Sequence, residues 1–221
     1  MDNLSLLNNN TKRVCIIDDD GTKYSYKEIN LRINKLKKFF KKKNLILIIS
    51  SFSKDFIINY LSFLKYGQTQ IILDESINEN YLNEIINKYN PKYIFLKNSK
   101  IKLPKKYNIQ NKNFVNEYDI YKSKTTNEIK LNKNLAVLLS TSGSTGSYKF
   151  VKQSYENLHS NCKNISKYLK IKNSDCSVTN LPLNYSYGLS VINSHFIKDG
   201  SIYVTKKTIL EKKFWENIYT N

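Results

Sequence analysis

Arginine is scarce in this chain. It occurs only at Arg13 and Arg32, although 36 basic residues oppose 18 acidic ones and the formal net charge is +18. Lysine therefore carries almost all of the positive charge, and it is scattered among asparagines and isoleucines rather than gathered in one patch. Nucleic-acid-binding surfaces favour arginine, whose planar guanidinium reads phosphates and base edges with two hydrogen bonds. The charge pattern therefore argues against a nucleic-acid partner and reflects a biased composition.

Cysteine and histidine are also few. Cys15, Cys162 and Cys176 are widely spaced, no CxxC pair occurs, and His159 lies far from His195 in the sequence. Structural disulfides and zinc sites need closer or paired spacings. We therefore expect no metal ligands, and we expect buried, reduced thiols of the kind found in cytoplasmic proteins.

Long apolar runs are missing. The longest, "LILII" at 45–49, is far too short to span a bilayer, and the N-terminus lacks the basic and apolar regions of a signal peptide. We therefore expect a soluble cytoplasmic protein with no membrane partner. A hydrophobic content of 40% and an aromatic content of 13% exclude a disordered chain.

Along the sequence, segments with a strand pattern alternate with segments with a helix pattern. "SYKE" at 25–28 forms a capping box before a helical apolar pattern that runs to about residue 42. "LILIIS" reads as a buried strand, Ser53 caps the next helix, and Gly67 ends it. This alternation predicts an α/β fold with mostly parallel sheets flanked by helices.

Three regions follow from the composition. Residues 1–100 form a first α/β region, and 101–134 read as a polar surface connection with one short strand near "FVNEYDIY". Residues 135–221 form a second α/β region, which we expect to be truncated because its last helical pattern has no C-cap signal.

The least ordinary stretch is "TSGSTGSYK" at 141–149, which follows the strand pattern "LAVLLST". Gly143 and Gly146 would let the backbone approach a ligand closely, and successive N–H groups in such a loop can form an anion-binding nest. Composition alone leaves two interpretations open: a phosphate-binding loop or a flexible polar hairpin loop. The spacing matches neither the Walker A motif nor GxGxxG.

The full string resembles the phosphate-binding loop of the adenylate-forming superfamily, which includes acyl-CoA synthetases, peptide-synthetase adenylation domains and luciferases. The usual form is T-S-G-[ST]-T-G-x-P-K-G, followed by S-H-x-N-L and later P-L-F-H-x-x-G-L. Here "SYENL" at 154–158 and "LPLNYSYGL" at 181–189 occupy the later positions. "YSYKEI" at 24–29 and "FIINYLSFLKYGQTQIILD" at 56–74 resemble earlier family segments, in family order.

The resemblance implies the N-terminal subdomains of that fold and a reaction in which a carboxylate attacks the α-phosphorus of ATP. An acyl-adenylate forms, and transfer to the thiol of CoA or of a carrier-protein phosphopantetheine follows. The implied cofactors are ATP and Mg²⁺, and the implied substrate is a small carboxylic acid or amino acid. Thr145 and Lys149 are the implied catalytic residues. The implied ATP-binding residues are Thr141, Ser142, Gly143, Ser144, Thr145, Gly146 and Lys149.

The second motif implies substrate contacts at Asn184, Tyr185, Tyr187 and Gly188. Asn184 and Tyr185 replace the usual Phe-His pair, so Tyr185 would take any gating role of that histidine. For Tyr185 and Tyr187, ring packing at the start of a helix is an equally good interpretation. His195 lies on an apolar helix, and we expect it to be packed or capped rather than catalytic.

Family members are roughly twice as long, and the family's later segments are not found here. We therefore expect the N-terminal part of an adenylating enzyme that is inactive alone. Two other hypotheses are kept: a non-catalytic nucleotide- or partner-binding remnant, and a basic nucleic-acid-binding module.

Overall fold

The computed structural model describes residue 4 and residues 6–7, 10–97, 101–115, 117–125, 129–140 and 149–220, without the side chains of 113–115 and 220. Within these residues the strands are β1 Val14–Ile17, β2 Lys23–Ser25, β3 Leu45–Ile49, β4 Thr69–Leu73, β5 Tyr93–Lys97, β6 Tyr107–Val115, β7 Tyr118–Ser123, β8 Leu135–Ser140, β9 Phe150–Ser154, β10 Cys176–Thr179 and β11 Ser201–Val204. The α-helices are α1 Tyr26–Lys35, α2 Lys54–Lys65, α3 Glu79–Tyr89, α4 Tyr155–Tyr168, α5 Ser186–Phe196 and α6 Lys212–Thr220.

The strands form two sheets. The large sheet has the order β6-β7-β5-β3-β4-β8-β9, in which β5, β3, β4 and β8 are parallel and the outer strands are antiparallel. The small sheet has the order β10-β11-β1-β2, in which only β2 runs antiparallel to its neighbour. The predicted α/β class with mostly parallel sheets is confirmed.

The large sheet is covered on both faces. In β3, Ile46 and Ile48 join a core cluster shared with α1, α2 and the small sheet, whereas Leu45, Leu47 and Ile49 join a second cluster shared with α3. Successive side chains of a strand point to opposite faces, so this division shows a strand buried on both sides. Burial on both faces is the reason why the sequence of β3 is a continuous apolar run.

The helix boundaries follow the predicted caps. Ser25 and Glu28 form the capping box of α1, and the Ser53 side chain accepts a hydrogen bond from the backbone N–H of Phe56 at the start of α2. Gly67 follows α2 with a φ of 68°, which a side chain would disfavour. The first helix is shorter than predicted, because Leu36–Phe39 continue as a 3₁₀ turn.

Residues 101–134, predicted as a polar connection with one short strand near "FVNEYDIY", contain two strands. These strands, β6 and β7, form a hairpin, and β7 pairs with β5 to extend the large sheet. Tyr118 and Ile120 point inward from β7. The Tyr118 hydroxyl donates a 2.7 Å hydrogen bond to the Ile49 carbonyl oxygen.

Each sheet contains strands that precede the β6–β7 hairpin in the sequence and strands that follow it. The division into residues 1–100, 101–134 and 135–221 stays a prediction. The thiols of Cys15 and Cys162 are buried as expected, but Cys176 is exposed. Among the described residues, no helix combines the length and apolarity needed to cross a membrane.

Candidate functional site

The Gly/Ser/Thr loop connects β8 to β9 at the carboxyl edge of the large sheet. β8 lies parallel to β4 and pairs antiparallel with β9, and Ser140 faces Phe150 in the last described cross-strand pair. Ligands of open α/β sheets bind beyond the carboxyl ends of the strands. The described ends of the hairpin, Ser140 and Phe150, therefore lie at the edge where a nucleotide site is expected.

Of the residues predicted to hold ATP, only Lys149 falls within the part of the chain that the structure describes. Thr141, Ser142, Gly143, Ser144, Thr145 and Gly146 lie outside the described residues. Lys149 is exposed and directly precedes the first residue of β9. Its position next to the sheet edge suits a side chain that reaches toward a phosphate.

The exit of the loop is anchored by an aromatic contact. Phe150 packs edge to face against Tyr89 at the end of α3, with ring centroids 5.3 Å apart and an interplanar angle of 88°. Both rings pack against the core cluster between the large sheet and α3. The residue that follows Lys149 is thus held by the core, which restricts where the lysine backbone can lie.

The predicted substrate segment leaves the carboxyl end of β10 and runs into α5. Asn184 is buried, with 2% of its surface exposed, whereas Tyr185 and Tyr187 are exposed at 45% and 69%. Tyr185 occupies the N-cap position of α5 but makes no side-chain cap hydrogen bond. The two tyrosine rings therefore lie at the surface of the described chain rather than under the helix.

Gly188 has a packing role. A Cβ at this position would lie 2.5 Å from the carbonyl oxygen of Pro182 and 3.1 Å from that of Leu181. The first turn of α5 therefore packs directly against the backbone of its own approach segment. A glycine is required here by close approach, and contact with a substrate remains a prediction.

Ion pairs connect the carboxyl edges of the two sheets. Lys54 at the start of α2 lies 2.7 Å from Asp18, which follows β1, and Lys206 after β11 lies 3.5 Å from Glu75 after β4. The carboxyl edge of the large sheet, where β8 ends, and the carboxyl edge of the small sheet, where β10 ends, therefore lie on the same side of the molecule.

A hydrogen-bonded cluster at the small-sheet edge was not foreseen from the sequence. Asp19 accepts hydrogen bonds from Thr205 at 2.7 Å and from Lys207 at 2.5 Å. Burial acts to raise the pKa of Asp19, but these donors outweigh it and hold the pKa below its usual range. The run "DDDG" around Asp19 does not indicate these hydrogen bonds, because Thr205 and Lys207 lie far along the chain.

Two of the motif segments line one cleft: "SYENL", at the start of α4, and "LPLNYSYGL", which leads from β10 into α5. Asn157 and Leu158 of "SYENL" line one side, and Ser186, Tyr187 and Leu189 of "LPLNYSYGL" line another. The cleft between α4 and α5 has a volume of about 600 Å³. Two of the motif segments named in the sequence are thus brought together in space.

The remaining site predictions have simpler outcomes. His195 is half-buried, and its Nδ1 lies 2.8 Å from the Val191 carbonyl oxygen, as expected for a packed histidine. Within the described ranges, no group of three or more His, Cys, Asp or Glu side chains could hold a metal ion.

Known structures share this architecture. ATP-bound MatB from Rhodopseudomonas palustris has a TM-score of 0.73 at 19% identity, with 94% of this chain and 46% of MatB covered. VinN in complex with L-aspartate has a TM-score of 0.74 at 13% identity, with 96% of this chain and 63% of VinN covered. A variant of E. coli MenE with bound OSB-AMS has a TM-score of 0.70 at 12% identity, with 91% and 44% covered.

These likenesses show the fold, and the chain spans about half the length of MatB and MenE. No curated protein sequence matches it. A family model described as AMP-binding enzyme matches residues 6–221. The match runs through both sheets, the β8–β9 hairpin and the segment before α5, and on this basis the chain belongs to the AMP-binding enzyme family.

Proposed function

We propose that the chain carries the phosphate- and acid-binding part of an AMP-forming ligase. In the proposed reaction a carboxylate oxygen attacks the α-phosphorus of ATP, the bond to the β,γ-phosphates breaks, and an acyl-adenylate and pyrophosphate form. The acyl group then passes to a thiol of CoA or of a carrier-protein phosphopantetheine. The observation that supports the proposal is the β8–β9 pairing, whose described ends at Ser140 and Phe150 lie on the same side of the molecule as the segment before α5.

The protein's part in this reaction is positioning and electrostatics. Loop N–H groups and hydroxyls from Thr141, Ser142, Ser144 and Thr145 would hold the β- and γ-phosphates, and Lys149 would face the charge that develops on the leaving pyrophosphate. Mg²⁺ bound to ATP would neutralise phosphate charge. A cytoplasmic location would supply ATP and keep the three thiols reduced.

Binding of Mg·ATP by the purified chain tests this proposal, measured by isothermal titration calorimetry. We expect Lys149→Ala to weaken binding by about tenfold or more, because one charged phosphate contact is lost. Lys152→Ala is the matched control, since Lys152 is an exposed lysine on β9. Equal losses in the two variants, or no binding by the unaltered chain, would contradict the proposal.

Pyrophosphate exchange separates a ligase from a protein that only binds nucleotide. Because we expect residues 1–221 to be inactive alone, exchange of labelled pyrophosphate into ATP is measured with a longer polypeptide that also carries the family's later segments. Exchange that depends on an added carboxylic acid supports the ligase, whereas tight Mg·ATP binding without exchange for any acid supports the non-catalytic alternative. Acid-dependent exchange by residues 1–221 would contradict the expectation that this chain is inactive alone.

A further inference from the structure

The cleft between α4 and α5 has the size of a small-molecule site. Its volume of about 600 Å³ falls within the range of ligand pockets, which is roughly 300–1,000 Å³. Gln153, Asn157 and Asn161 line one side, Ser186 and Tyr187 belong to the other, and Ser177 of β10 also contributes. The cleft thus lies between the segment after the phosphate loop and the start of α5.

The lining of this cleft is polar but uncharged. Its polar side chains are amides and hydroxyls together with His195, and no Asp, Glu, Lys or Arg of the described chain lines it. His195 Nδ1 lies 2.8 Å from the Val191 carbonyl oxygen, so this ring nitrogen is already engaged within α5. A charged group placed here would lose water without gaining an ionic partner from these residues.

Several of these polar groups have unused hydrogen-bonding capacity. In the described part of the chain, no hydrogen bond engages the side chains of Gln153, Ser177 or Tyr187. Asn161 donates from Nδ2 to the Ser190 Oγ at 2.9 Å across the cleft. A ligand with hydroxyl or amide groups would therefore find donors and acceptors on both sides.

One end of the cleft suits a carboxylate. α5 starts there with no side-chain cap and no acidic residue in its first turn, so its N-terminal N–H groups and dipole favour an anion. Thr179 Oγ1 is buried without a partner among the described residues, and a hydroxyl can donate a hydrogen bond to an anion. Thr179 shares the sheet face of Ser177, which lines the cleft, because alternate strand residues point the same way.

We propose that this cleft binds the acid substrate, and that the substrate carries a single carboxylate and uncharged hydroxyl or amide groups. The inference rests on the proposed ligase function and names the class of acid that it activates. The carboxylate would lie at the start of α5, and the uncharged groups would meet Gln153 and Asn161.

Four acids of equal chain length test this class: gluconate, hexanoate, adipate and 6-aminohexanoate. Each is titrated into the ¹⁵N-labelled chain, and dissociation constants are taken from amide chemical shifts. We expect gluconate to bind about tenfold more tightly than each of the others, since each hydrogen bond gained in the cleft contributes roughly that factor. The largest shifts should fall at Gln153, Asn161 and the first turn of α5.

Asn161→Leu should remove the preference for gluconate while leaving the dissociation constant of hexanoate within about twofold. Asn164→Leu is the matched control, because Asn164 is exposed on α4 and does not line the cleft. Melting temperatures of both variants show whether they remain folded, and Asn161→Ser serves if the leucine variant does not.

The proposal is overturned if adipate or 6-aminohexanoate binds as tightly as gluconate, if the preference survives Asn161→Leu, or if no acid binds. Mg·ATP binding by the same samples separates the two proposals. A chain that binds Mg·ATP but no acid contradicts this inference alone, whereas a chain that binds acid but not Mg·ATP contradicts the proposed function.

Discussion

At the scale of single residues, Gly188 marks where backbone packing, rather than side-chain chemistry, determines the residue type. An alanine Cβ would lie 2.5 Å from the Pro182 carbonyl oxygen, so the helix or its approach segment must move. We expect Gly188→Ala to lower the free energy of unfolding by about 1–3 kcal/mol, as overpacking does.

Urea denaturation of this variant provides the measurement, with Ser186→Ala in the same turn as the control, because Ser186 is exposed. A stability equal to that of the unaltered chain would show that the first turn of α5 is free to shift.

Lys43 has an unusual environment at the opposite, amino edge of the large sheet. Its ammonium donates hydrogen bonds to the carbonyl oxygens of Gly67, Lys133 and Leu135 and lies 4.7 Å from the centroid of the Tyr155 ring. Burial lowers the pKa of Lys43 to about 8. The carbonyl contacts oppose this shift because they favour the charged form.

Because the pKa of Lys43 is lower in the folded than in the unfolded chain, the unfolded chain binds more protons between about pH 8 and the ordinary lysine range. The contribution of Lys43 to stability therefore rises with pH across that window. We expect the difference in unfolding free energy between the chain and Lys43→Met to change with pH there, with Lys42→Met as the control. A pH-independent difference, or an ordinary lysine titration of Lys43 by NMR, would contradict this.

At the scale of elements, the contact between Phe150 and Tyr89 connects the exit of the loop to α3. The resemblance to the adenylate-forming superfamily implies glycine at position 150, so this anchor is a departure of this chain. We expect a coupling of about 0.5–1.5 kcal/mol between Phe150→Leu and Tyr89→Leu in a double-mutant cycle of unfolding free energies, as for other aromatic pairs. A coupling near zero would show that the two rings pack independently.

Most elements could be predicted because their signals are local. The Ser53 cap, the Gly67 stop and the apolar run of β3 each lie within a few residues of the feature that they predict. One strand was predicted near "FVNEYDIY", but the β6–β7 hairpin was missed because its place in the sheet comes from pairing with β5, which lies earlier in the sequence. A period-2 pattern is weak when lysine and asparagine are common everywhere.

At the scale of the whole molecule, the site depends on contacts that join distant parts of the chain. The motifs predicted which segments matter, but not that Lys54–Asp18 and Lys206–Glu75 hold the two carboxyl edges together. Long-range pairs of this kind leave no pattern in a single sequence. The cleft between α4 and α5 was hidden for the same reason.

The Lys54–Asp18 pair is largely shielded from water, with side-chain exposures of 15% and 19%. Removing one partner leaves the other charge poorly solvated, so we expect Asp18→Asn to destabilise the fold by about 1–3 kcal/mol. Glu75→Gln, which affects the exposed Lys206 pair, should cost less than about 1 kcal/mol. Thermal or urea unfolding compares the two, and equal effects would show that the buried pair does not hold the edges together.

The central claim is that the loop between β8 and β9 binds the phosphates of ATP, and a ¹H–¹⁵N NMR titration of the chain with Mg·ATP tests it most directly. We expect the largest shifts at residues 140–150 and smaller ones along the carboxyl edges of the two sheets. Largest shifts around Lys43 and Lys92 at the amino edge, shifts spread evenly over the surface lysines, or no shifts at all would contradict the claim.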